Sequence, residues 1–133
     1  MGWFRKERGA EGEDAAALAL RKAGYVILER NISLGGGELD LVAKEGGEIV
    51  FIEVKARSTK AFGSAAEAVN SKKALRMAKA ARAYLASRKL DNAPSRADVV
   101  AVELDGEGRA ANVEIVRGCL DLSGALAGRR WRM

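Results

Sequence analysis

A chain of 133 residues is the length of one domain, and it can bury about two-thirds of its unfolded surface without a covalent staple. Its 23 Lys and Arg against 18 Asp and Glu leave a net charge of +5, with no histidine and one cysteine, Cys119. These counts exclude an internal disulfide, a zinc site of His or paired Cys, a Ser-His-Asp triad and a Cys-His dyad. Any catalysis must then rest on carboxylates, Lys, Arg, Tyr, hydroxyls or a metal that they hold.

Hydrophobic residues at 48% with 31% charged describe a globular protein. The longest apolar run near the N-terminus, residues 15–20, is too short for a signal-peptide core or a membrane span, so a cytoplasmic protein with no membrane partner is expected.

Residues 9–24 read as a first helix, a good helix-forming stretch over 13–23 that stops at Gly24 in the position of a C′ residue. Residues 25–32 (YVILERNI) are β-rich and bounded by Gly24 and the Gly35-Gly36-Gly37 run, which reads as a turn. Residues 38–44 and 48–57 alternate strictly around Gly46-Gly47, a strong hairpin signal. A loop over 58–69 leads to a second helix, capped by Asn70 or Ser71 and running to about residue 88. Pro94 marks a connector, 97–104 a fourth strand, the Asp105-Gly106-Glu107-Gly108 stretch a turn and 111–116 a fifth strand. Residues 1–8 and 118–133 read as flexible or peripheral ends of the one domain. The order α-β-β-β-α-β-β implies an α/β fold, a small mixed sheet flanked by helices, with strands three and four parallel across the second helix.

If Gly46-Gly47 form a two-residue turn, paired positions of the hairpin sum to 93. Asp40 then faces Glu53 with Cβ atoms about 5 Å apart, and Glu38 faces Lys55. Alternation puts Glu53 and Lys55 on the face of Ile49 and Phe51. Opposed carboxylates on a half-buried face need a proton, a cationic side chain or a metal ion between them. Asp40, Glu53 and a backbone carbonyl make an all-oxygen set suited to Mg²⁺ or Mn²⁺. Spacing alone is equally consistent with a solvated Glu/Lys hairpin face.

Glu13 adds an acid to the stripe of Ala16, Ala17 and Leu20 while Asp14 points elsewhere, either as a first-turn residue favoured by the helix dipole or as a functional group. Between Lys55 and Lys89 stand ten Lys and Arg and one acid, Glu67, a local excess of +9. Lys72, Lys73, Arg76 and Lys79 fall on one arc of the second helix, opposite Ala74, Met77, Ala81, Tyr84 and Leu85. A single-sign strip points to a polyanion, nucleic acid first. Arg129, Arg130 and Arg132 around Trp131 form a second basic cluster, and Cys119 reads as a buried small hydrophobe.

Glu13, the run from Gly37 to Val42 (GELDLV) and the run from Phe51 to Arg57 (FIEVKAR) resemble the YraN family of predicted endonucleases. That family is similar to archaeal Holliday-junction resolvases within the PD-(D/E)xK nuclease superfamily. The resemblance continues through Phe62-Gly63, Lys72 or Lys73, residues 80–85 and the Arg96–Val100 run, where Ala97 replaces the family's usual aromatic. It implies a restriction-endonuclease-like αβββαβ core and a magnesium-dependent endonuclease acting on DNA, branched or repair intermediates included. Asp40 and Glu53 would be metal ligands, joined through the metal or a water by Glu13, and Lys55 would orient or activate the attacking water and stabilise charge on the phosphate. Arg57, Lys72, Lys73, Arg76 and Lys79 would track the nucleic-acid backbone. A resolvase cuts two symmetry-related strands, so the resemblance also implies a C2 homodimer. The alternative is a non-catalytic nucleic-acid-binding module that keeps the nuclease fold.

Overall fold

The computed structural model describes the backbone of residues 2–57 and 71–120 and the side chains of residues 11–57 and 72–118. Its elements are α1 (Gly2–Lys22), β1 (Val26–Leu34), β2 (Gly37–Glu45), β3 (Glu48–Arg57), α2 (Ser71–Ser87), β4 (Ser95–Leu104) and β5 (Ala110–Leu120). The order is the one expected, although α1 begins seven residues before the position its glycines suggested. The 58–69 loop, Asn70, the side chains of Ser71 and Cys119, and the Arg129, Arg130, Trp131 and Arg132 cluster lie outside the described residues. Among the described residues no helix is long and apolar enough to cross a membrane.

Glycine chemistry sets the helix ends and turns. Gly24 ends α1 at φ 102°, with its N–H on Arg21 and the Tyr25 N–H on Leu20, which closes the orphan carbonyls of the last turn. Gly35 and Gly36, at φ 62° and 81°, join β1 to β2 through a two-residue turn whose paired ends are Leu34 and Gly37.

The five strands form one sheet in the order β1-β2-β3-β4-β5, antiparallel except for β3 and β4. That parallel pair runs unbroken from Ile49↔Ser95 to Arg57↔Glu103. Helix α1 packs Ala16 and Leu20 on one face with Leu41, Val50, Ile52, Val100 and Val102. Helix α2 packs Met77, Ala81, Tyr84 and Leu85 on the other with Val42, Ile49, Phe51 and Val99. Covered on both sides, β3 reads as a buried run from Ile49 to Glu53. Phe51 is fully buried and meets Tyr84 edge to face at 6.1 Å; such burial and ring contact together contribute about 3 kcal/mol.

The turn end of the β2–β3 hairpin is tied to β4 by Arg96. Its guanidinium bonds Asp98 at 3.0 Å, Glu48 at 2.7 Å and also Glu45, so the like-charged Glu45↔Glu48 pair shares a cation. Asp98, fully buried, also accepts from Tyr25 Oη at 2.8 Å and the Gly118 N–H at 2.7 Å. Hydrogen bonds from Arg117 and Arg96 hold the Glu45 carboxyl down to about 2. This end of the sheet is a closed charge network, and it pins the hairpin against the strand that follows α2.

Candidate active site

The opposite end of the hairpin is open. Strands β2 and β3 pair as Glu45↔Glu48, Lys44↔Ile49, Ala43↔Val50, Val42↔Phe51 and Leu41↔Ile52, the register expected from a two-residue turn. The ladder stops there. From Asp40 back to Gly37, β2 stays with β1, while from Glu53 to Arg57, β3 stays with β4. The sheet therefore forks between Asp40 and Glu53. The expected Glu38–Lys55 pairing is not made, because the strands have parted; Glu38 instead meets Arg76 of α2 at 2.6 Å.

At the fork the Asp40 carboxylate enters the gap, its Oδ2 accepting the Val54 N–H at 2.8 Å. Side-chain and backbone groups replace the missing ladder bond. Glu53 is 3% exposed. Burial first, and then the charge of Asp40, push its carboxyl up to about 7, against the pull of Lys73. Protonated Glu53 is in hydrogen-bonding reach of Asp40, so the two carboxyls are neighbours across the fork although no ladder pair joins them.

The countercharge comes from α2. Lys73 Nζ lies 3.1 Å from Glu53 Oε2. Burial opposes the Lys73 charge, but Glu53, with Asp40 and Glu38 behind it, outweighs burial and raises its affinity for a proton. Helical spacing put Lys73 on the nucleic-acid strip and gave no sign that it reaches the acids. Lys55 is half-buried on the face of Glu53 and makes no ion pair among the described residues. Arg57, next along that face, stands beside Glu103 of β4. Lys72 and Lys79 are exposed on α2, as is Arg76, which is paired to Glu38.

Two glycines set the height of α2 over the fork. A Cβ on Gly37 would lie 1.9 Å from the Arg76 carbonyl oxygen, and one on Gly35 would lie 2.6 Å from Ala83 Cβ and 3.0 Å from the Lys79 carbonyl. Helix and hairpin backbones touch there, which lets Lys73 reach Glu53. The triple glycine is thus a packing surface as well as a turn.

Glu13 is 6% exposed on the stripe expected of it, and Asp14 is solvated. It sits on the α1 side, where Arg30 Nε and Nη2 reach its Oε1 at 3.3 and 3.2 Å and Asn31 Nδ2 reaches the same oxygen at 2.8 Å. Burial raises its carboxyl against the pull of Arg30, and the Asp40 charge adds to the rise. Among the described residues no three acids converge into a group that holds a metal directly, and Glu13 stands on the α1 side within reach of the Asp40 charge. Arg30 and Asn31 were not singled out by sequence. An asparagine inside a β-rich run, a poor strand former that tolerates left-handed backbone, is the signal that pointed to the second of them.

The donor set fits a hard divalent cation. Asp40 and Glu53 supply carboxylate oxygen only, they are neighbours, and Lys73 cancels one of their two charges. A cation between them relieves the burial and repulsion that hold the Glu53 proton.

Residues 12–102 match the model of the uncharacterised protein family UPF0102, a span that contains Glu13, Asp40, Glu53, Lys55 and Lys73. A UPF0102 protein of Moorella thermoacetica is 50% identical over 118 residues, spanning 89% of this chain and 98% of that one. Another, of Symbiobacterium thermophilum, is 45% identical over 101 residues, with 76% and 86% covered. Among solved structures, an XisH family protein from Nostoc punctiforme overlays loosely, at TM-score 0.38 and 20% identity, over 77% of this chain and 97% of that one.

Proposed function

This chain belongs to the uncharacterised protein family UPF0102, and from that premise we propose that it is a metal-dependent endonuclease hydrolysing phosphodiester bonds of DNA, branched recombination or repair intermediates included. The observation that carries the reading is the fork itself: two neighbouring carboxylates, one buried with its proton held up to about 7, beside Lys73 and Lys55. A fold gains nothing from opposing two acids at a strand junction unless something binds them.

Asp40 and Glu53 would hold Mg²⁺ or Mn²⁺, with Glu13 behind Asp40 on the α1 side. The ion supplies Lewis acidity and charge neutralisation at the scissile phosphate, the work that histidine does in other hydrolases. Lys55, a compact cation on the Glu53 face, would orient the attacking water and meet charge that grows on the phosphoryl oxygens. Arg57 and the exposed Lys72 and Lys79 supply sequence-independent phosphate contacts, with Arg76 beside them. Cleavage of a junction at two symmetric positions extends the proposal to a C2 homodimer.

The Lys73–Glu53 ion pair favours a second reading, in which the lysine takes the place of a cation and the fold binds nucleic acid without cutting it. Labelled duplex, single-stranded and four-way-junction DNA, incubated with Mg²⁺, Mn²⁺ or EDTA, separates the two. The endonuclease reading expects metal-dependent cleavage that Asp40→Asn and Glu53→Gln abolish. Cleavage that survives both substitutions removes the proposed centre, and salt-sensitive binding without cleavage in every metal establishes the second reading.

A further inference from the structure

Among the described residues two that are not glycine carry a left-handed backbone, Lys89 at φ 58° and Asn31 at φ 53°. Lys89 ends α2, where its N–H meets Ala86 and the next N–H meets Leu85, so its conformation closes a helix. Asn31 lies within β1, where a left-handed residue interrupts the pleat, a conformation that asparagine tolerates better than most.

Both strands share the interruption. Arg30 pairs with Leu41 and Ile32 with Leu39, so Asn31 stands opposite Asp40. Residues two apart in a regular strand share a face. Here Leu41 packs under α1 and Arg30 reaches Glu13 of α1, whereas Leu39 and Ile32 pack under α2. The faces exchange at the level of Asn31 and Asp40, and it is there that Asp40 turns into the fork toward the Val54 N–H.

The Asn31 side chain makes a second tie, to Oε1 of Glu13 at 2.8 Å. Among the described residues every hydrogen bond to Glu13 ends on that oxygen, which leaves Oε2 for another partner. One residue therefore touches the geometry of both acids, one through its backbone and the other through its carboxamide.

We propose that Asn31 is the positioning residue of the acidic site, its left-handed backbone turning Asp40 into the fork while its carboxamide clamps Glu13. The importance of this arrangement for metal binding rests on the endonuclease reading; the placement of the two acids does not.

Two variants of the full chain divide the roles. Asn31→Gly keeps a residue at ease at positive φ and deletes the carboxamide, and Asn31→Ala gives up both. In metal-free protein, amide hydrogen exchange at Val54 rises about tenfold in N31A relative to Val50 and Ile52, and stays at the wild-type rate in N31G. In calorimetric titrations with Mn²⁺, N31G, folded and with Val54 exchange at the wild-type rate, binds about 10- to 100-fold more weakly than wild type, the size of effect expected when the partner that orients an acid beside the metal is removed. If N31A does not fold and N31G does, rescue by glycine carries the same conclusion for the backbone. The proposal is overturned if Val54 exchange in N31A matches wild type or rises only in step with Val50 and Ile52, or if N31G binds Mn²⁺ as wild type does. Wild-type protein that binds no Mn²⁺ defeats the endonuclease reading, and the Val54 exchange still decides the role of Asn31.

Discussion

Replacing Glu53 by glutamine should stabilise the metal-free protein, and by an amount that depends on pH. The folded protein holds the Glu53 proton up to about 7, whereas the unfolded chain releases it near 4.5. Between those values folding takes up a proton, so this group's contribution to stability falls as pH rises through that window. Each tenfold in proton affinity is about 1.4 kcal/mol, so ionised Glu53 costs the fold roughly 3 kcal/mol at pH 8. Glutamine removes that cost, and the pull of Lys73 is already contained in the affinity of Glu53 for its proton. The net expectation is a gain of about 3 kcal/mol at pH 8 and a difference within about 0.5 kcal/mol at pH 4.5, where the folded protein carries both side chains neutral. Urea unfolding of both proteins in EDTA, at half-unit steps from pH 4.5 to 8, reads the difference directly. A gap that stays flat across that range, or a variant less stable than wild type at pH 8, would show that Glu53 is not held protonated by burial beside Asp40.

Other outcomes follow from the same geometry. Mg²⁺ at about a hundred times its dissociation constant should raise wild-type stability by about 2.7 kcal/mol, leave Glu53→Gln unmoved and lose its effect in EDTA, measured by thermal melts. Gly37→Ala should cost about 3 kcal/mol or more, since its Cβ would meet the Arg76 carbonyl at 1.9 Å; Gly47→Ala, with nothing within 4 Å, should stay within about 0.5 kcal/mol in the same urea series. Arg96→Met strips Asp98, Glu45 and Glu48 of their shared cation at once, and a loss of about 3–5 kcal/mol is expected at neutral pH. A loss under about 1 kcal/mol there would mean that the network closes without it.

Much of the fold was legible because its signals are local. Gly46-Gly47 between two alternating runs specifies a hairpin register on its own, and a one-residue error would have moved every side chain to the other face. Gly24 marks the end of α1 by the same kind of short-range chemistry, and helical spacing alone places Glu13 on the buried stripe with Ala16 and Leu20. What escaped depends on elements far apart in the chain. The end of the β2–β3 ladder is decided by the separate pairing of β2 with β1 and of β3 with β4. Lys73 shares a helical arc with Lys72 and Arg76, and no arc says which lysine tips inward; that follows from how closely α2 rides on Gly35 and Gly37. Asn31 carried a usable signal, yet its link to Glu13 needs α1 and β1 to be placed against each other first.

The parallel pairing of β3 with β4 also orders events during folding. Two-residue turns join β1, β2 and β3, and hairpins of this kind close in about 1–10 μs. Strand β4 reaches β3 only after the chain has crossed the sheet through α2, and such non-local closure is the slow step of a mixed topology. Asp40 and Glu53 thus come together in the early meander, while Lys73, carried on the crossover, arrives with the late one. The two acids meet before their countercharge does. Folding should be faster where the Glu53 carboxyl is protonated than where it is ionised, so the acidic pair leaves its mark on the rate of assembly as well as on the finished structure.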